Sequence, residues 1–166
     1  MSELFEKARS YEAKKIAATD KESKPLFHIS APAGWINDPN GFSVYNGKIH
    51  LFYQYYPYLR EWGPMHWGHS TTSDMIKWEQ LPCVMAPDEE YDIKGCFSGS
   101  AIEADGKHVL VYTGVTRIKL PDGSEQERQN KCIAFGDGLN YVKHENNPVV
   151  TCLLYTSPSP RDISGS

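Results

Sequence analysis

The stretch GFSVYNGKIHLFYQ, residues 41–54, sets an Asn46-Gly47 pair between two runs rich in aromatic and β-branched residues. Asn-Gly is the strongest short-range signal for a two-residue hairpin, because both central residues of a type I′ turn need positive φ. The spacing predicts strands over Gly41–Tyr45 and Lys48–Gln54. A second copy follows, in which Cys96–Glu103 and Lys107–Thr113 flank Asp105-Gly106. Its turn glycine falls 59 residues after Gly47, and LVYT at 110–113 repeats LFYQ at 51–54.

Outward from these hairpins, Met65–Thr72 and Lys77–Leu81 read as the next strands of the first unit. Lys131–Gly136 and Tyr141–His144 complete the second. SDMIKW, ending at Trp78, has its counterpart in GDGLNY, ending at Tyr141, 63 residues later. Repeated four-stranded units point to an all-β fold made of propeller blades. A sandwich of four hairpins also uses regular strands, but the repeat favours the propeller. Ser2 to about Asp20 reads as a short helix preceding the strands, with Leu4, Ala8 and Tyr11 at i, i+4, i+7 and Phe5 beside them.

Composition is that of a globular chain: 40% hydrophobic, 23% charged, and no apolar run long enough to span a membrane. Seventeen basic against 21 acidic residues give a net charge of −4, which offers no electrostatic case for nucleic acid or an anionic membrane. The first residues, MSELFEKARSYEAKK, lack the apolar core of a signal peptide. Cys83, Cys96, Cys132 and Cys152 form neither a CxxC nor a tight disulfide framework, so buried free thiols in a reducing, cytoplasmic setting are expected.

The densest chemical cluster is WINDPNG at 35–41. NDPNG by itself is a turn sequence. Pro39 drives Asp38 toward extended backbone, which aims its carboxylate from the head of a strand. A carboxylate flanked by amide donors such as Asn37 suits a glycosidase nucleophile, and Trp35 could wall a sugar face. In LFYQYYPY at 51–58, His50, Phe52 and Gln54 share one strand face; Gln54 is a polar amide in a strand otherwise fit for burial. Trp62 and Trp67 fit either sugar stacking or core packing. His66 and His69 are not read as a metal pair, because residues three apart on a strand point to opposite faces. CFSGSA at 96–101 places Ser98 in the register of Asp38's strand, as a ligand-bonding hydroxyl or simply as strand packing. The run Asp88-Glu89-Glu90 with Asp92 reads as a solvated loop. No cluster of Lys or Arg along the sequence marks a phosphate site, and no dinucleotide or phosphate-cradling glycine loop is present.

Together, HISAPAGWINDPNG at 28–41, FYQYYP at 52–57, WGPMHWGHSTTSDMIKW at 62–78 and GCFSGSAI at 95–102 resemble glycoside hydrolase family 32, the invertases and β-fructofuranosidases, in content and order. APDEEYD at 86–92 and NNPVV at 146–150 are similar to the bacterial sucrose-6-phosphate hydrolases within it. The resemblance implies the first two blades of a five-bladed β-propeller. It implies Asp38 as the nucleophile of a retaining hydrolase acting on terminal β-fructofuranosides of sucrose or its 6-phosphate. Asn37, Gln54, Trp62, Phe97 and Ser98 match positions lining the fructose subsite, and neither metal nor cofactor is implied. A fructan hydrolase, a fructosyltransferase or a non-catalytic sugar-binding remnant are the rivals.

Two family motifs are missing from the 166 residues: an Arg-Asp-Pro, whose Asp stabilises the transition state, and a Glu-Cys, whose Glu is the general acid/base. Arg161-Asp162 stands near the place of the first, but Ile163 follows it. CLLYTSPSPRD at 152–162 resembles translated sequencing adapter, so the expected division is helix and linker over 1–26, partial propeller domain over 27–151, and a non-native tail over 152–166. Without the proton donor, this chain by itself is expected to be insoluble or inactive.

Overall fold

The computed structural model describes residues 2–20, 24–25 and 27–151. One helix, α1 (Glu3–Ala18), precedes eight strands: β1 (Trp35–Tyr45), β2 (Lys48–Tyr56), β3 (His66–Thr72), β4 (Glu79–Met85), β5 (Gly95–Ala104), β6 (Lys107–Lys119), β7 (Glu125–Gly136) and β8 (Tyr141–Lys143). They form two four-stranded antiparallel sheets, β1-β2-β3-β4 and β5-β6-β7-β8, each a meander of consecutive strands. Both hairpin turns have the positive φ pair that type I′ demands: 48° and 71° at Asn46-Gly47, 51° and 71° at Asp105-Gly106.

The sheets pack face to face. Phe52, Trp67, Val84 and Met85 of the first meet Cys96, Leu110, Tyr112, Cys132, Ala134 and Tyr141 of the second. The opposite face of the first sheet, with Tyr53, Tyr55 and Cys83, is covered by Phe5 and Ala8 of α1. Strand alternation thus assigns Phe52 and Gln54 to one interface and Tyr53 and Tyr55 to the other.

Ser2 caps α1 by accepting from the Phe5 N–H at 3.1 Å, and Glu3 and Glu6 lie in the first turn, where the helix dipole favours them. The buried stripe is Phe5, Ala8 and Glu12 rather than Leu4, Ala8 and Tyr11; Leu4 is 46% exposed. Packing rotates the helix to bring Arg9 between the sheets. Its Nε donates to the Cys83 carbonyl at 2.9 Å, Nη1 to Asn140 Oδ1 at 2.9 Å, and Nη2 to the Leu139 carbonyl at 3.1 Å. One guanidinium therefore ties α1 to β4 and to the β7–β8 turn.

A second departure from the sequence reading concerns the acidic run between the sheets. Asp92 is fully buried, accepting from Lys143 Nζ at 2.6 Å and Tyr112 Oη at 2.8 Å, while Asp88 pairs with the same ammonium. Asp88 and Asp92 clamp the connection onto β8, while Glu89 and Glu90 between them are exposed, as the sequence reading expects. Cys83, Cys96 and Cys132 are buried free thiols; Cys152 lies outside the described residues. No helix among the described residues is long and apolar enough to cross a membrane.

Candidate active site

NDPNG lies inside β1 instead of forming a turn. Strand β1 carries two register irregularities against β2, between Ile36 and Pro39 and between Asn40 and Ser43. Bulges bend a strand and re-aim its side chains. Here they leave Asn37 and Asp38 exposed while Asn40 is buried. The second bulge needs glycine: Gly41 has φ +50°, and a Cβ there would sit 2.8 Å from the Phe52 ring.

β1 lies against β5, which is itself irregular between Phe97 and Ser100. This contact brings Ser98 Oγ to donate to Asp38 Oδ2 at 3.1 Å. Beside them, Trp35 Nε1 donates to Asn37 Oδ1 at 3.0 Å, fixing which amide edge remains open. Trp62 is 58% exposed and stands edge-on to Phe97, ring centroids 6.2 Å apart at 82°. Asp38, Asn37, Trp35, Ser98, Phe97 and Trp62 thus gather at one junction, with two polar groups from β1, one from β5 and an aromatic wall.

Gln54 is placed differently. It is buried, and its Nε2 donates to the Cys96 carbonyl at 3.0 Å. Trp67 is also buried, donating to the same carbonyl at 3.1 Å, so of the two tryptophans Trp67 is core and Trp62 is open. Thr113 Oγ1 donates to the Ser98 carbonyl at 3.2 Å and accepts from Lys131 Nζ at 2.8 Å. The backbone carrying Phe97 and Ser98 is therefore held by Gln54, Trp67 and Thr113. Thr113 and Lys131 escape sequence reading because only register reveals them: Phe97, Thr113 and Lys131 form one cross-strand row.

Behind the junction lies a buried histidine group. Ser43 Oγ donates to the Gly41 carbonyl at 2.9 Å, so the 2.9 Å contact with His108 requires His108 Nε2–H to donate to Ser43. His108 Nδ1 then accepts from Tyr141 Oη at 2.7 Å. This Tyr141–His108–Ser43–Gly41 chain links β8 to the β1 bulge. His50 and His69 pair at 2.9 Å alongside. Burial pushes His108 down to about 4 and His69 well below its ordinary value, which keeps the cluster neutral. His66 lies elsewhere, against Pro64 and Tyr58, and burial also lowers it to about 4. Among the described residues, no group of three or more His, Cys, Asp or Glu side chains is arranged to hold a metal.

The profile of the glycosyl hydrolases family 32 N-terminal domain matches residues 28–162. The chain belongs to glycosyl hydrolase family 32. This family 32 chain is 45% identical over 120 residues to the sucrose-6-phosphate hydrolase of Escherichia coli, a match covering 72% of this chain and 25% of the relative. It is 37% identical over 151 residues to the levanase of Bacillus subtilis, covering 89% and 22%. Among solved structures, a Bombyx mori GH32 β-fructofuranosidase superposes with a TM-score of 0.78 at 43% identity, covering 90% of this chain and 31% of that one. A mutant of that silkworm enzyme is solved in complex with sucrose. The family 32 chain spans about a quarter of the length of the curated relatives it matches. The profile match takes in residues 152–162, which lie outside the described residues.

Proposed function

We propose that this chain carries the nucleophile and part of the fructose subsite of a β-fructofuranosidase that hydrolyses sucrose or sucrose 6-phosphate with retention. The observation that carries the reading is the junction of Asp38 with Ser98, Asn37, Trp62 and Phe97. It offers a carboxylate to the anomeric carbon, with hydroxyl-bonding groups and an aromatic wall around it. Attack by Asp38 forms a fructosyl ester as the glycosidic bond breaks, and the leaving oxygen takes a proton from a general acid. Water then cleaves the ester with that same group acting as base. The Glu-Cys motif expected to supply this acid is absent from the 166 residues, so the complete reaction belongs to a longer chain.

On this reading the two sheets are blades of a five-bladed propeller, and residues 27–151 are its first part. Gln54 serves the subsite from behind, by holding the Cys96 carbonyl. Three buried free thiols support a cytoplasmic setting. Fructan hydrolysis is the second reading, supported by the levanase among the relatives.

The test is Asp38→Ala in a full-length version: turnover of sucrose and sucrose 6-phosphate is expected to vanish while sugar binding persists. Unchanged turnover rejects Asp38 as nucleophile.

A further inference from the structure

Three successive hydrogen bonds join Lys131 to the candidate nucleophile. Lys131 Nζ donates to Thr113 Oγ1 at 2.8 Å, Thr113 Oγ1 donates to the Ser98 carbonyl at 3.2 Å, and Ser98 Oγ donates to Asp38 Oδ2 at 3.1 Å. The four residues belong to β7, β6, β5 and β1, so the path crosses three neighbouring strands of the second sheet and ends on the first.

Proton placement gives the first two bonds their direction. An ammonium only donates, so Thr113 Oγ1 accepts from Lys131 and its single proton is left for the Ser98 carbonyl. The charged donor also polarises the hydroxyl and strengthens the bond that the hydroxyl makes in turn. Thr113 is buried, which keeps water from competing for that proton. Removing the ammonium removes the constraint that turns the proton toward Ser98.

The Ser98 carbonyl lies where the ladder does least to fix the backbone. Pairing of β5 with β6 runs from Phe97 opposite Thr113 to Ser100 opposite Val111, and it skips Ser98 and Gly99. The skipped segment lies close on β6, since a Cβ at Gly99 would sit 1.9 Å from the Val111 carbonyl oxygen. The Thr113 bond pins the peptide that follows the Ser98 Cα, and with it the direction of Ser98 Oγ.

The far end of the path is anchored as well. Lys131 N–H donates to the Val150 carbonyl at 2.8 Å, and the Lys131 carbonyl accepts from the Val149 N–H at 2.9 Å. On its other side Lys131 pairs with Thr113 across the β6–β7 ladder. Among the described residues its ammonium forms no ion pair with a carboxylate, so no anion draws it away from Thr113.

We propose that Lys131 is a positioning residue for the reaction at Asp38. Through Thr113 it sets the Ser98 peptide, and through Ser98 Oγ it sets the approach of the carboxylate to the anomeric carbon. The proposal rests on the reading of the chain as part of a fructosidase. Lys131 acts on the geometry of attack rather than on the sugar, so its effect belongs in kcat more than in KM.

The test is a kinetic double-mutant cycle on sucrose in a full-length version, using Lys131→Met, Ser98→Ala and the double variant, with Lys131→Arg as the conservative replacement. Lys131→Met is expected to lower kcat about fivefold, the scale of one hydrogen bond, and to change KM less than about twofold. Lys131→Arg should recover most of the loss. In the Ser98→Ala background Lys131→Met should have no further effect, because the link to Asp38 is already gone. Unchanged kcat, a loss confined to KM, or the same loss in both backgrounds overturns the proposal. Failure of the hydrolase reading is seen separately, as turnover that survives Asp38→Ala or as no turnover by the unsubstituted full-length protein.

Discussion

Ser98 Oγ donates to Asp38 Oδ2 at 3.1 Å across the junction of two sheets, from residues 60 positions apart. Both side chains are exposed, so the bond orients more than it stabilises. Ser98→Ala is expected to leave stability within about 0.5 kcal/mol. In a full-length enzyme it should lower kcat/KM about tenfold, the scale of one hydrogen bond to a charged group. Steady-state kinetics on sucrose check this, and unaltered kinetics would remove Ser98 from the site.

The two tryptophans of the WGPMHWG stretch should behave oppositely. Trp67 is fully buried and bonds the Cys96 carbonyl, so Trp67→Ala should cost about 3–5 kcal/mol in urea unfolding. Trp62 is 58% exposed, so Trp62→Ala should cost little stability and abolish the sugar-induced change in tryptophan fluorescence. A fluorescence response that survives loss of Trp62 places it outside the subsite.

Tyr141→Phe removes the donor to His108 Nδ1 and leaves a buried ring nitrogen unpaired. The expected cost is about 1–3 kcal/mol, measured by thermal or urea unfolding at neutral pH. The penalty should shrink in a Tyr141→Phe, His108→Phe double variant. A double-mutant cycle showing simple additivity would mean that the two side chains are not coupled.

Glu12 gives a pH dependence of defined sign. It is 2% exposed under α1, and burial raises its pKa to about 7, above the ordinary 4.5, against the lowering effects of the Cys83 N–H and Arg9. The folded state therefore holds a proton that the unfolded chain releases. Stability is lost as pH rises from about 4.5 to 7 and levels off above that range. Glu12→Gln should abolish this loss and be the more stable protein at pH 8, by up to about 3 kcal/mol. Urea unfolding of both proteins at pH 5 and pH 8 tests it; parallel pH profiles would contradict the assignment.

Much of the fold was legible because hairpin chemistry is local. Asn46-Gly47 and Asp105-Gly106 demand positive φ whatever surrounds them, and the strands on either side alternate. Helix α1 was legible as a helix, but its buried stripe was not. Arg9 and Glu12 turn it toward partners on β4 and the β7–β8 turn that lie far away in sequence. In the acidic run at 88–92, Glu89 and Glu90 are exposed as expected, but Asp88 and Asp92 were misread for the same reason: the cation that draws them inward, Lys143, lies more than 50 residues on.

The sequence alone therefore determined the turns, the strand order within each four-stranded unit and the chemical identity of Asp38's segment, since these depend on residues that are neighbours along the chain. Tertiary structure decided which polar groups meet. It made NDPNG a doubly bulged strand, set Ser98 against Asp38, buried Gln54 and Trp67 behind them, and joined Lys131 through Thr113 to Ser98. Those encounters depend on register and sheet packing, and a strand shifted by one residue would reverse every face.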